Sequence, residues 1–221
     1  MTAIDALKRN PSAALLAVQL LGLLLYPFME GSPRGRALLG MFGLVVLGAA
    51  LWVVRRSPWL TWVGSLLALP VVLLSLAAVV TPRPELVVWA AALEAVFYFY
   101  ATGSLIAYMW QDWVATTDEL FAAGATFTLL AWAFAYVFVV CQALLPDSFG
   151  AGEFESARTW MDLLFLSFAV LSGVGLSDIV PQVPMAQAIV MLEAFCGVMY
   201  IALVISRLVS MTAAAVRREG S

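Results

Sequence analysis

Few residues of this sequence could do chemistry, and the most notable are carboxylates inside apolar runs. Glu193 lies in the last of these runs, on one helical side with Gly197, Tyr200 and Val204, and Glu94 lies in an earlier run. Carboxylates within a membrane are functional candidates by default. Glu193 could have a direct functional role, or it could be a protonated or hydrogen-bonded support near Ser167 or Ser172, and both interpretations stay open. We expect Glu94 to hydrogen-bond a nearby tyrosine or serine.

The sequence lacks the residue sets on which enzymes depend. It contains no histidine, the commonest general base and metal ligand, and it shows no nucleophile–base set or cluster of metal ligands. Cys141 and Cys196 both lie in apolar runs, where buried free thiols are expected. The sequence therefore predicts that the protein is not an enzyme and holds no cofactor.

The composition is that of an integral membrane protein. Of 221 residues, 64% are hydrophobic and 11% are charged, whereas an average soluble domain is about half apolar and about a quarter charged. A soluble fold of this size would lack the polar surface to cover itself, and a bilayer removes that need. The formal net charge of −3 leaves no basic stripe for nucleic acid.

Apolar runs of about 20 residues predict six membrane-spanning helices and an all-α fold. The predicted spans are Ser12–Met29, Ala37–Val54, Trp59–Val80, Leu86–Trp110, Leu120–Leu145 and Met185–Val209. We expect Pro70 to kink the third span. The first span could be a signal peptide, but no small-residue cleavage site follows it, so we favour a retained helix. The predicted regions are a four-helix N-terminal region (1–118), a second domain (119–211) and a short tail (212–221).

One further apolar stretch is too short to be a span. Leu163–Gly175 has 13 residues without a charge, and Ser177, Asp178 and Pro181 follow it closely. Such a stretch is too short to cross a bilayer and too apolar for an exposed loop. It therefore predicts a re-entrant segment, which is allowed at membrane depth only where protein buries it or where it lines a wet cavity.

The sequence around this stretch resembles the potassium-channel superfamily, whose filter reads T-T-V-G-Y-G-D followed shortly by proline. The matching stretch here reads S-G-V-G-L-S-D over 172–178, with Pro181 three residues later. Gly197 falls where the family has its inner-helix hinge glycine. The resemblance covers about 119–209 and does not extend to the first four spans.

This resemblance implies a pore helix, a filter and an inner helix that assemble as a homotetramer around one pore. The filter residues that it implies are Ser172, Gly173, Val174, Gly175, Leu176 and Ser177, with Asp178 at the pore mouth, Gly197 as the gating hinge and Glu193 as a possible support behind the filter. In such a filter, rings of backbone carbonyls replace the water around a cation. The implied ligand is therefore a permeant monovalent cation, with K⁺ as the first choice, and the other partner is the lipid bilayer.

The sequence also departs from the family pattern at three positions. Gly173 lacks a hydroxyl, Leu176 lacks the phenol that braces the family filter, and Ser177 stands where a left-handed glycine is expected. We expect the left-handed conformation to cost Ser177 about 1–2 kcal/mol. The alternatives are therefore a weakly selective cation channel, or a non-conducting or transport-type protein that uses the pore-loop fold.

The charges predict that both termini lie in the cytoplasm of a multi-pass protein of the cell membrane. With this orientation seven basic residues lie inside and four outside. The fourth span contains no arginine, so a strong voltage sensor of the usual kind is not expected. The acidic residues Asp147, Glu153, Glu155 and Asp178 would face outside, where they would raise the local cation concentration.

Overall fold

The computed structural model describes residues 10–29, 33–55, 61–80, 83–111, 116–150 and 157–219. In these residues it has seven helices and one short strand pair. The helices are α1 (Pro11–Met29), α2 (Pro33–Val54), α3 (Thr61–Val80), α4 (Pro84–Met109), α5 (Thr117–Leu144), α6 (Trp160–Leu171) and α7 (Pro184–Glu219). The six predicted spans and the short apolar stretch correspond to these seven helices. The last helix also continues through most of the predicted tail.

The sequence marks where these helices begin. A proline is the first residue of α1, α2, α4 and α7. This position suits proline, because the first turn of a helix has no intrahelical use for its N–H. The helices α5 and α6 begin instead with capping boxes, formed by Thr116 with Glu119 and by Thr159 with Asp162.

Four helices are long and apolar enough to cross a membrane, judged by length and composition. They contain the segments Pro11–Phe28, Glu85–Met109, Thr117–Leu144 and Pro184–Arg207. The apolar parts of α2 and α3 are shorter, at Phe42–Val54 and Trp62–Ala77. Pro70 lies inside α3, which is helical on both sides of it, and the kink expected there stays a prediction. The structure therefore supports a membrane protein, and the number of spans remains a prediction.

Helix α5 is the centre of the fold and contacts α1, α4, α6 and α7. An aromatic cluster packs around its C-terminal half and consists of Tyr26, Tyr98, Trp132, Tyr136 and Trp160. These side chains come from α1, α4, α5 and α6. The cluster therefore joins the N-terminal helices to the first turn of α6.

The first turn of α5 also holds the start of α1. The Asp118 carboxylate accepts hydrogen bonds from the Ser12 backbone N–H at 3.0 Å and from the Ser12 hydroxyl at 2.9 Å. The Tyr108 hydroxyl donates to the same carboxylate at 3.1 Å. An acidic side chain at a helix N-terminus is favourable, because the unpaired N–H groups there carry partial positive charge.

At the other end of α5, a strand pair closes the loops around α6. Strand β1 (Phe149–Gly150) lies before α6, and β2 (Val180–Pro181) lies after it. The two strands are antiparallel, with Phe149 opposite Pro181 and Gly150 opposite Val180. The segment between them therefore begins and ends at the same end of the molecule.

Candidate functional site

Helix α6 reaches only part of the way along its neighbours. It has 12 residues, which is about 18 Å of helix against a hydrocarbon core of about 30 Å. Near its start, the Gln142 side chain hydrogen-bonds the backbone of Arg158, close to the end of α5. Near its end, the Phe168 ring lies 6.0 Å from the ring of Phe127, in the first half of α5. The chain after Leu171 then returns to the strand pair.

The returning segment begins with alternating backbone conformations. Ser172 has φ −74°, Gly173 has φ +73° and Gly175 has φ +66°. The φ of Val174, between the two glycines, is not positive. Glycine adopts the left-handed conformation without steric cost. Two hydrogen bonds connect this segment to the last turn of α6. They run from Gly173 N–H to the Val170 carbonyl at 3.0 Å and from Gly175 N–H to the Ala169 carbonyl at 2.9 Å.

The same segment is not covered by its own chain. Val174 and Leu176 are each 71% exposed. A Cβ atom built on Gly173 or Gly175 would have no other atom within 4 Å. The residues of the predicted filter are thus presented together on an open surface of the single chain.

Ser177 differs from the expectation for its position. It has no positive φ, so the predicted left-handed strain at this residue is wrong. Its hydroxyl instead accepts a hydrogen bond from the Ile179 N–H at 3.1 Å. In this segment the left-handed conformation occurs at the two glycines, and Ser177 makes a local side-chain turn of the kind that serine favours.

The structure describes two of the four acidic residues that were predicted to face the outer pore mouth. Asp178 follows the segment directly and is exposed, and Asp147 is exposed in the loop after α5. Glu153 and Glu155 lie outside the described residues. The strand pair brings the loop of Asp147 and the loop of Asp178 to the same end of the molecule.

Glu193 lies behind the segment, buried between α7 and α6. Its side chain is fully buried, and one carboxyl oxygen contacts the Ser167 hydroxyl. Ser167 also lies 2.8 Å from the Ala131 carbonyl oxygen of α5. The contact is with Ser167, one of the two serines expected near Glu193. Burial and this contact favour a hydrogen-bonded support.

Gly197 lies one turn further along α7 and faces the end of α6. A Cβ atom at this position would overlap the Leu171 carbonyl group. The helix is continuous through Gly197, from Pro184 to Glu219. A close approach of two backbones is therefore the structural reason for glycine here, and the hinge role remains a prediction.

The contacts of α7 continue along one stripe that sequence analysis singled out only in part. The Tyr200 hydroxyl donates to the Ala123 carbonyl at 2.5 Å, and Arg207 forms an ion pair with Glu119 at 3.5 Å. The α7 residues Glu193, Gly197, Tyr200 and Arg207 recur at helical spacing, so they lie on one face of the helix. The spacing was visible in the sequence, but the partners on α5 and α6 were not.

A small cavity adjoins the C-terminal part of this stripe, from Tyr200 to Arg207. It is bounded by α4, α5 and α7, and its lining includes Trp110, Glu119, Leu120, Tyr200 and Arg207. Most of the lining is apolar, with the Glu119–Arg207 ion pair among its polar groups. Within the described residues, no group of three or more His, Cys, Asp or Glu side chains could hold a metal ion.

Glu94 lies apart from this site, in the N-terminal region. It accepts a hydrogen bond from the Ser75 hydroxyl at 3.3 Å and another from Tyr136. The expectation of a tyrosine or serine partner is confirmed. Cys141 and Cys196 are both unpaired, as predicted, and Cys141 is buried.

The comparisons with known proteins agree with this geometry. Residues 124–214 match the family model described as Ion channel. The match runs from the first third of α5 through α6, the returning segment and most of α7. No curated protein and no solved structure matches the chain. The match supports a pore-loop ion-channel family for this part of the chain, within a protein whose apolar helices are those of a membrane protein.

Proposed function

We propose that the protein is a homotetrameric channel that conducts cations passively, with K⁺ as the preferred ion. The observation that carries this function is the segment Gly173–Gly175, which has alternating backbone conformations and is left uncovered at the end of a short buried helix. We take α6 as the pore helix, residues 172–177 as the filter and α7 as the inner helix.

Backbone carbonyls are the ligands that such a segment offers. A cation that leaves water needs several oxygen ligands at once, and one chain supplies too few from one short stretch. Four copies around an axis would supply rings of carbonyl oxygens. The C-terminal end of α6 carries partial negative charge, which favours a cation near it.

The uncovered surface of α7 supports assembly. Its outward face carries large apolar side chains that are more than half exposed in the single chain, among them Met191, Leu192, Phe195 and Val198. This helix is the least buried of the four candidate spans. In a tetramer, neighbouring chains and the pore would share this face.

Gly173 and Leu176 favour a second candidate, a weakly selective cation channel. Gly173 adds no side-chain hydroxyl to the inner end of the filter. Leu176 is 71% exposed and has no polar group with which to brace the segment from behind. Both departures reduce the number of contacts that fix the carbonyl positions.

The experiment is reconstitution of the purified protein in liposomes, with separate measurements of K⁺ and Na⁺ flux. We expect K⁺ flux well above that of protein-free liposomes and smaller Na⁺ flux. Equal K⁺ and Na⁺ permeability would favour the weakly selective channel. No flux of any cation would refute the proposed function, and particle images without fourfold symmetry would refute the assembly.

A further inference from the structure

We propose that Glu193 is a positioning residue for the filter, and that it acts as a neutral hydrogen-bond donor to Ser167. Ser167 in turn would donate to the Ala131 carbonyl. A chain of two hydrogen bonds would then join α7 to α6 and α6 to α5. Because this role matters only if 172–177 is the filter, it rests on the proposed function.

The first argument is a count of hydrogens. The Ser167 hydroxyl carries one hydrogen, and it contacts both the Ala131 carbonyl oxygen and a carboxyl oxygen of Glu193. A carbonyl and an ionised carboxylate can both only accept, so one hydroxyl hydrogen cannot fully serve both partners. A protonated Glu193 resolves this, because it donates to Ser167 while Ser167 donates to Ala131.

The second argument is the surroundings of Glu193. Both Glu193 and Ser167 are fully buried, and the second carboxyl oxygen of Glu193 has no hydrogen-bond partner among the described residues. Within the part of the chain that the structure describes, the ion pair is that of Arg207 with Glu119, and no basic side chain there pairs with Glu193. An unpaired carboxylate in such a place is very costly, whereas a neutral acid with one hydrogen bond is not.

The third argument is the short connection from Ser167 to the filter. Ser167 lies one turn before Leu171, where α6 ends, and the glycines of the filter hydrogen-bond Ala169 and Val170 in that last turn. Gly197 holds α7 against Leu171 one turn beyond Glu193. A shift of α6 relative to α7 would therefore move the carbonyls of 172–175.

The experiment compares Glu193→Gln with Glu193→Ala in the full-length protein. Glutamine keeps the shape and can donate from its amide, whereas alanine removes the hydrogen bond and leaves a cavity. We expect E193Q to keep the K⁺/Na⁺ permeability ratio of the wild type and E193A to lower it about tenfold. Ser167→Ala is the matched control, because it breaks the same connection from the other side and should lower the ratio similarly.

The outcomes separate this role from other possibilities. If E193Q loses selectivity as E193A does, the negative charge is needed and the donor role is wrong. If both E193A and S167A keep the wild-type ratio, the positioning role is wrong. Should E193A fail to assemble, the pair E193Q and S167A decides the question in the same way.

A second measurement does not depend on conduction. Infrared spectra of the wild type should contain the C=O stretching band of a buried protonated carboxylic acid, and this band should be lost in E193Q. Its absence from the wild type would overturn the donor role. An absence of cation flux through the wild type would overturn the proposed function, and the positioning role with it, while the band would still decide the hydrogen-bond direction.

Discussion

The N-terminal helices α1–α4 and the region α5–α7 are built from similar residues but depend on them in different ways. In the first region, helices pack through aliphatic and aromatic side chains. A Cβ atom at Gly48 would have open space around it, and the nearest neighbours of one at Gly22 or Gly64 would be side chains. In the second, single backbone positions matter, because Gly175 has a positive φ and Gly197 meets the backbone of Leu171. We infer that the second region tolerates less change. Four predictions test this contrast.

The largest effect is expected for Gly175→Ala. Alanine in a left-handed conformation costs about 1–2 kcal/mol in each chain, and in the proposed tetramer all four chains would bear this cost at one pore. We expect K⁺ flux in liposomes to fall to the level of protein-free vesicles. If G175A conducts like the wild type, the assignment of 172–177 as the filter is wrong.

The next effect is expected for Gly197→Ala, with Gly48→Ala as the matched control in the other region. The new methyl group at Gly197 would overlap Leu171, and overpacking of this kind costs about 1–3 kcal/mol. At Gly48 the methyl group meets no atom, and alanine in a helix gains about 0.5–1 kcal/mol over glycine.

Thermal unfolding in detergent compares these two variants directly. We expect G197A to unfold at a lower temperature than the wild type, and G48A at the same or a higher temperature. Equal changes at both positions would remove the contrast between the regions.

A smaller effect is expected at the Glu119–Arg207 ion pair. Both side chains are mostly buried in the single chain, but the pair makes a single contact of 3.5 Å, so we take its contribution as that of a surface pair, about 1 kcal/mol or less. We expect Glu119→Gln to lower stability by about this amount, and the charge swap E119R/R207E to recover part of the loss. If E119R/R207E is less stable than E119R alone and R207E alone, other contacts of Arg207 contribute more to stability than this ion pair.

The smallest effect is expected for Ser75→Ala in the N-terminal region. It removes one of the two hydrogen bonds to Glu94, a loss of about 0.5–1.5 kcal/mol. We expect a slight loss of thermal stability and an unchanged K⁺/Na⁺ permeability ratio. A changed ratio would mean that α3 and α4 influence the filter, so the two regions would not be independent.

The sequence predicted the helices well because apolar length and proline are local signals. Proline is the first residue of four helices, and the 13 uncharged residues 163–175 are too few to cross a bilayer as a helix. The positions of positive φ were harder to predict, because the family pattern placed one at Ser177 while the structure has one at Gly173. A glycine takes that conformation at little cost, and Ser177 has a better use for its hydroxyl.

Contacts between distant residues account for most of what the sequence could not predict. The spacing of Glu193, Gly197 and Tyr200 showed that they share a helix face, but not that Ser167, Leu171 and Ala123 face them. The first four helices carry no motif, so the packing of α1 and α4 against α5, and of α2 and α3 against their neighbours, could only be learned from the structure. The same holds for the aromatic cluster, whose members come from four helices.

The first turn of α5 has a consequence for how the two regions move. Adjacent residues of this turn contact two different helices. Asp118 accepts hydrogen bonds from Ser12 at the start of α1, and Glu119 forms an ion pair with Arg207 of α7. Rotation of this single turn would pull on both helices together. A displacement of the start of α1 would therefore reach Arg207 of α7 through one turn of α5.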